Sequence, residues 1–233
     1  MIMIQVSNLT KIFTLPEQRF LRFFNHSKNQ KIVALDNVSF EINKGETVGL
    51  IGKNGSGKTT LLKILAGIFE PTQGIVKIYG QKAPYLSLNV GLHQELTAKE
   101  NIYLYGSIFS FSKKEIKTKI DEILSFAELS DFQNTKLKYF SSGMIARLIF
   151  SLIIQIKSDI LLLDEILAVG DKDFVPKCIA KIKELQKQEK TIIIASHQLN
   201  LIKSLCPKTI FLHQGKLIMY DRTEKVIENY LQY

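Results

Sequence analysis

Short apolar runs alternate with helical patterns along most of the chain. Runs rich in Ile, Val and Leu lie at 47–51, 160–163, 191–195 and 209–212. They lack the strict alternation of polar and apolar residues that marks a half-exposed strand, which is typical of strands buried on both faces. Because helical patterns separate the runs, the sequence predicts an α/β fold whose sheet is mainly parallel.

The pattern changes between about 91 and 139, where no strand-like run occurs. Ser112 and Glu115 have the spacing of a capping box. Four apolar residues follow on one helical face: Ile116, Ile120, Ile123 and Leu124. Since no linker or internal repeat is present, we expect one domain over 1–233. Its catalytic core would comprise about 1–90 and 140–233, with a helical subdomain at about 91–139.

Composition agrees with a folded globular protein. The 233 residues are 45% hydrophobic and 23% charged, which excludes collagen-like and disordered chains. Lys and Arg number 31 against 22 Asp and Glu, giving a net charge of +9. That charge is compatible with nucleic acid, with an anionic membrane surface, or with a solvated lysine-rich exterior.

Neither cysteine usage nor hydropathy indicates an exported or membrane-spanning chain. Cys178 and Cys206 form no C-x-x-C pair, so we expect neither a disulfide nor a zinc site, and a reducing compartment. Residues 1–9 lack the pattern of a signal peptide. The most apolar stretch, 148–156, is about half the length that a membrane span requires.

A glycine-rich loop follows the first apolar run. It matches the pattern G-x-x-x-x-G-K-[ST] through Gly52, Lys53, Asn54, Gly55, Ser56, Gly57, Lys58 and Thr59, with Thr60 next. Main-chain N–H groups of such a loop, together with the following helix N-terminus, bind phosphate oxygens. Lys58 would reach the β- and γ-phosphates, and the hydroxyl of Thr59 would ligate Mg²⁺.

Two further apolar runs end in chemistry-bearing residues. Asp164 and Glu165 follow one run, and His197 follows another. Carboxyl ends of parallel strands share one sheet edge, so these side chains should lie near the phosphate loop. Asp164 would hold Mg²⁺ and Glu165 would polarise an attacking water, while His197 would contact a γ-phosphate. The alternatives are a helix cap for Asp164 and a structural role for His197.

The segment 140–144, Phe-Ser-Ser-Gly-Met, opens a helical pattern that includes Arg147. Together with the phosphate loop, Asp164, Glu165 and His197, it resembles the ABC ATPase family, whose signature reads L-S-G-G-Q. The resemblance covers nearly the whole chain. It implies an ABC-type fold: a mainly parallel core, an antiparallel β edge and a helical subdomain. It also implies hydrolysis of ATP with Mg²⁺.

The resemblance also implies a head-to-tail homodimer with two ATP molecules at the interface. Ser141 and Gly143 would bind the γ-phosphate held by the other subunit, and Asp171 would lie in the D-loop at the same interface. Phe13 would stack on adenine. Its alternative is an ordinary core aromatic.

The chain departs from the family pattern at several positions. Ser142 replaces the first signature glycine, and Met144 replaces the glutamine. The glutamine of the Q-loop should fall near residue 88, yet 87–88 reads Ser-Leu and the nearest glutamine is Gln94.

These departures, with the segments 95–102 and 164–171, resemble one branch: the ATPase subunits of bacterial exporters for O-antigen, capsule and teichoic acid. This implies a lipid-linked glycan as cargo, a separate integral membrane permease present in two copies, and a peripheral location on the cytoplasmic face of the plasma membrane. Only a short stretch follows His197, so we expect no carbohydrate-binding domain. An ABC subunit for another cargo is the first alternative, and a soluble ABC ATPase acting on nucleic acid is the second.

A basic and aromatic segment at about 15–30 remains outside these motifs. Residues 19–25 place phenylalanines on one side of a short amphipathic helix. Such a helix suits an anionic membrane surface or the cytoplasmic mouth of a permease. The alternative is a surface helix that packs on its own domain, and nucleic acid is not expected.

Overall fold

The structure is a computed structural model that describes residues 1–14, 31–81, 86–87, 92–108, 111–165 and 173–233. The strands are β1 (Ile2–Thr14), β2 (Lys31–Asn43), β3 (Thr47–Ile51), β4 (Gln73–Ile78), β5 (Leu86–Ser87), β6 (Ile160–Asp164), β7 (Thr191–Ala195), β8 (Lys208–His213) and β9 (Lys216–Arg222). The helices are α1 (Lys58–Leu65), α2 (Ala98–Ile108), α3 (Lys113–Ala127), α4 (Ser142–Ile153), α5 (Phe174–Lys187), α6 (Leu199–Leu205) and α7 (Thr223–Leu231).

Six of the described strands form the central sheet, in the order β5-β6-β7-β3-β8-β9. All neighbours pair in parallel except β8 and β9, which form an antiparallel hairpin. Every residue of β3, β6 and β7 is buried, as the continuous apolar runs predict. Along β6, Leu161 and Leu163 pack into one core, and Ile160 and Leu162 pack into another on the opposite face. The predicted α/β fold with a mainly parallel sheet is therefore confirmed.

A second, three-stranded sheet has the order β2-β1-β4 and is antiparallel throughout. It shares a core with α1 and one face of the central sheet. In its register Phe13 lies opposite Ile32, and Ile12 lies opposite Val33. The apolar runs predict β3, β6, β7 and β8, but not the long strands β1 and β2.

The helical region begins with α2 and α3. The capping box of α3 is confirmed: the Ser112 hydroxyl accepts from the N–H of Glu115 at 3.3 Å, and the Glu115 carboxylate accepts from the N–H of Ser112 at 2.9 Å. The apolar face of α3 packs in the same core as α4, which lies beyond the expected boundary at about 139. Two short 3₁₀ turns, Ser130–Phe132 and Leu137–Tyr139, connect α3 to α4.

Cys178 and Cys206 are free and buried, and burial raises the pKa of both thiols to about 12. Among the described helices, none combines the length and the apolar character needed to cross a membrane.

Candidate nucleotide-binding site

The phosphate loop joins β3 to α1 at the carboxyl edge of the central sheet. Its backbone requires glycine at two crowded positions. Gly57 has a φ of 105°, and a Cβ there would lie 2.6 Å from the carbonyl oxygen of Ala34. A Cβ on Gly52 would lie 2.2 Å from the carbonyl oxygen of Leu212. The loop is therefore held tightly between β2 and the end of β8, with the N-terminus of α1 beneath it.

The side chain of Lys58 turns back onto its own loop. Its Nζ donates to the carbonyl of Gly52 at 2.7 Å and to that of Lys53 at 3.3 Å. Burial lowers the pKa of Lys58, and the nearby carboxylates of Glu165 and Asp164 oppose that shift. The loop also contains a buried hydroxyl, Ser56 Oγ, that makes no hydrogen bond to the described residues. A cation and an unpaired donor together suit a phosphate group.

The side chains of Thr59 and Asp164 are in contact beside the phosphate loop, although the two residues are far apart in sequence. The Thr59 hydroxyl donates to Oδ2 of Asp164 at 3.0 Å. Asp164 ends β6 and is 6% exposed. Magnesium binds hard oxygen ligands and usually takes one or two carboxylates together with substrate phosphates. A hydroxyl and a carboxylate at hydrogen-bond distance beside a phosphate loop fit that requirement.

Glu165 occupies the turn directly after β6. Its φ of 55° is uncommon for a residue other than glycine, and its N–H donates to the carbonyl of Ala195 at 3.0 Å. Oε1 of Glu165 lies 3.4 Å from Nε2 of His197. Burial raises the pKa of Glu165, an effect opposed by His197 and Lys58 and reinforced by Asp164. A carboxylate held in an unusual conformation with a raised pKa is typical of a catalytic base.

These residues surround a cavity of about 280 Å³. Its lining includes Asn54, Gly55, Ser56, Gly57, Lys58, Thr59, Thr60, Asp164, Glu165 and His197. A larger open cavity of about 540 Å³ lies beside Thr47 and Cys206, where β3 and β8 begin. Parallel α/β sheets bind ligands at the carboxyl ends of their strands, so the smaller cavity is the candidate site.

The cavity wall includes three residues that the sequence analysis did not propose: Ile32, Val33 and Ala34 on β2. Ile32 and Val33 are 45% and 49% exposed, so their apolar side chains are accessible to a ligand in the cavity. Phe13, their neighbour across the sheet, is not among the lining residues. Its ring packs edge-on against Phe69 with centroids 5.4 Å apart. The adjacent apolar residues Ile32 and Val33 at the start of β2 are the sequence feature that could have indicated this wall of the cavity.

Ser141 and Gly143 lie at the N-terminus of α4 and do not line the cavity. The Ser141 hydroxyl caps α4 by accepting from the N–H of Met144 at 3.2 Å. A Cβ on Gly143 would meet only Oγ of Ser141, at 3.8 Å, so its surroundings are open. Asp171 and the segment at 15–30 lie outside the described residues.

Comparison with known proteins agrees with this geometry. Residues 35–168 match the sequence profile described as "ABC transporter". The chain belongs to the ABC transporter family. Its fold is that of solved ABC cassettes: the ATP-binding cassette MJ0796, in a dimeric structure bound to ADP and Pi, superimposes with a TM-score of 0.80 at 26% identity, covering 95% of this chain and 99% of that one.

The curated relatives of this ABC ATPase include polymer exporters. The O-antigen export system ATP-binding protein RfbB of Klebsiella pneumoniae is 40% identical over 211 residues, which cover 91% of this chain and 86% of RfbB. The teichoic acids export ATP-binding protein TagH of Bacillus anthracis is 39% identical over 226 residues, covering 97% of this chain but 41% of TagH. The resemblance to the polysaccharide exporter branch is thereby confirmed.

Proposed function

We propose that this ABC ATPase hydrolyses ATP to ADP and phosphate to power export of a lipid-linked polysaccharide through a separate membrane permease. The contact between Thr59 and Asp164, beside Lys58 and Glu165, supports the chemistry because it joins a hydroxyl, a carboxylate and a phosphate loop at one point. The similarity to RfbB over 86% of its length supports the cargo class.

Lys58 and the N–H groups of the loop would bind the phosphates. The Lys58 amine would exchange the carbonyls of Gly52 and Lys53 for β- and γ-phosphate oxygens, which are stronger, charged acceptors. The hydroxyl of Ser56, which makes no hydrogen bond within the described part of the chain, would gain one to a phosphate oxygen. Asn54, Gly55 and Thr60 line the same cavity and complete the phosphate site.

Thr59 and Asp164 would hold Mg²⁺ by their side-chain oxygens. The ion, when bound, neutralises negative charge on the phosphates. Glu165 would accept the proton of the attacking water, and His197 would contact the γ-phosphate. Because its pKa is raised, the carboxylate of Glu165 is a stronger base than an ordinary glutamate and binds that proton more tightly.

Ser141 and Gly143 would complete the site of a second copy of this chain. Both lie at the exposed N-terminus of α4 and away from the cavity of their own subunit, as a role across a homodimer requires. Asp171 would act at the same interface, and Phe13 would stack on adenine. The main-chain oxygen of Gln94, the glutamine nearest to the expected Q-loop position, accepts from the N–H of Lys138 at 3.0 Å.

Mixed dimers test the shared site. A Ser141→Arg chain and a Lys58→Ala chain should each be inactive alone. When mixed, one composite site carries both lesions and the other carries neither, so ATP hydrolysis should partly return. Recovery of no activity, while mixtures of either variant with wild type stay active, would contradict the shared geometry.

An export assay tests the cargo. We expect Glu165→Gln in the cell of origin to abolish the surface polymer and to cause lipid-linked polymer to accumulate inside. The control is Glu70→Gln, the same chemical change at an exposed position. Pull-down of the chain from solubilised membranes should also recover a permease. Unchanged surface polymer with Glu165→Gln would indicate a different cargo.

The contact made by the segment at about 15–30 and the location of the protein at the membrane are both proposals. The basic segment at about 15–30 would contact an anionic membrane or the permease, and the protein would act as a peripheral subunit on the cytoplasmic face of the membrane. Arg19→Glu with Arg22→Glu should then reduce export while the ATPase activity of the purified protein persists.

A further inference from the structure

The end of α7 lies against the strand that supports the phosphate loop. Tyr230 and Tyr233 both pack edge-on against Phe211, with ring centroids 5.1 Å and 5.3 Å away. The ring of Tyr233 also lies 5.2 Å from that of His213. Phe211 is fully buried at the end of β8. The aromatic contacts therefore fix the end of α7 to the end of β8.

The end of β8 in turn holds the phosphate loop. Phe211 pairs with Ile51, the last residue before the loop. The N–H of Gly215, in the turn after β8, donates to the carbonyl of Ser56 at 3.0 Å. A change in the loop must therefore alter its contacts with β8 and the turn that follows.

A direct contact also joins the loop to the residues after α7. Nζ of Lys53 donates to the main-chain oxygen of Tyr233 at 3.1 Å. The carbonyl of the same Lys53 accepts a hydrogen bond from Lys58. Lys53 therefore contacts both Tyr233 and Lys58, the lysine that would bind phosphate. If Lys58 exchanged that carbonyl for a phosphate, the hydrogen bond to Tyr233 would be a contact that still restrains Lys53.

We propose that Tyr233 is a positioning residue for nucleotide binding, and that the end of α7 reports nucleotide in the phosphate loop. Its ring, seated on Phe211 and His213, holds its main-chain oxygen where Lys53 can reach it. The inference rests on the proposed function, since it requires nucleotide phosphates to bind at this loop. It assigns the residues at the end of α7 and just after it a part in the ATP site that none of the phosphate-binding motifs supplies.

A tryptophan reporter tests the coupling without measuring activity. The chain contains no tryptophan, so Tyr233→Trp would introduce a single tryptophan, which can be excited selectively, two residues after α7. Its emission should shift when ADP or ATP saturates the protein. Tyr79→Trp is the matched control: Tyr79 is 45% exposed and lies just after β4, paired with Met3 at the end of β1 opposite to Phe13. Its emission should stay constant.

Binding measurements give a second, independent readout. Tyr233→Ala should raise the Kd for a fluorescent ATP analogue by about three- to tenfold, the loss expected for one hydrogen bond, with kcat at saturating ATP within about twofold. Tyr233→Phe keeps the ring and should bind within about twofold of wild type. In a Lys53→Met background, Tyr233→Ala should add little, because the contact is already absent.

The outcomes separate the two proposals. If the wild-type protein fails to bind the analogue, the proposed function is wrong. If wild type binds but the emission of the Tyr233→Trp variant does not respond, or Tyr233→Ala binds as wild type, only the positioning role is overturned. Additive effects of Lys53→Met and Tyr233→Ala would also overturn it.

Discussion

Replacing Glu165 by glutamine tests the proposed chemistry most directly. Glutamine has nearly the same size as glutamate, and the N–H contact of residue 165 to Ala195 is a main-chain contact that the change leaves in place. The φ of 55° is as demanding for one residue as for the other. Glu165→Gln therefore removes the basic oxygen that lies 3.4 Å from His197 and little else.

The expected loss is large because a glutamine side chain cannot take up the proton of the attacking water as a carboxylate does. Asp164 lies next to Glu165, but its Oδ2 already accepts from Thr59. A positioned general base contributes about 10²–10⁴-fold to a rate. At about 1.36 kcal/mol for each factor of ten, the barrier to hydrolysis should rise by about 3–5 kcal/mol. ATP affinity should be retained, because removing a negative charge near Lys58 does not weaken phosphate binding.

The assay is phosphate release at saturating ATP, beside titration with a fluorescent ATP analogue. Glu165→Gln should bind the analogue as wild type does, and the dimer should persist with ATP in light scattering. Glu70→Gln, the same change on an exposed side chain, should leave both readouts unchanged. Hydrolysis by Glu165→Gln within about threefold of wild type would refute the assigned role.

We also expect the rate of ATP hydrolysis to depend on pH through Glu165. Burial raises the pKa of Glu165, so its carboxylate takes up a proton at a higher pH than an ordinary glutamate does. Activity should be present above that pKa and fall as the pH decreases through it. The residual activity of Glu165→Gln should lack this acidic limb. If the fall in activity at acidic pH persists in the variant, it arises from the titration of another group.

Three further predictions follow from the loop and the helical region. Lys58→Ala should raise the Kd for the ATP analogue by about 10- to 100-fold, because a charge-assisted contact to phosphate is lost; an unchanged Kd would contradict it. Both Gly57 and Gly55 have a positive φ, but in the nucleotide-free protein Gly57→Ala should lower Tm more than Gly55→Ala, because its Cβ would meet Ala34, whereas at Gly55 no described residue beyond the chain neighbours lies within 4 Å; the reverse order would be inconsistent with the described loop. Ser112→Ala should lower Tm by about 2–4 °C through loss of about 1 kcal/mol of capping, and Ser112→Asp should restore it.

The sequence by itself determined the parts of this protein whose signals are local. A run of buried residues predicts a strand whatever its partner, so β3, β6 and β7 could be assigned before their neighbours were known. The capping box of Ser112 and Glu115 spans one helical turn, and the phosphate loop is a contiguous pattern. In each case the physical cause acts within a few residues.

The direction of the strands also allowed the position of three site residues to be predicted. Asp164, Glu165 and His197 follow parallel strands, so their common edge could be expected, and the structure places all three at the cavity of the phosphate loop. That prediction succeeded because parallel strands leave no choice of edge. The sequence did not provide the distances or the raised pKa of Glu165, which depend on how deeply the packed elements bury it.

Only the tertiary structure decided what depends on register and packing between distant segments. The sheet that pairs Phe13 with Ile32 brings Ile32 and Val33 to the cavity, while the ring of Phe13 packs on Phe69. The contact between Lys53 and Tyr233 joins residues that lie 180 positions apart in the sequence. Such contacts form after the core has fixed the relative positions of whole elements, so no local pattern encodes them.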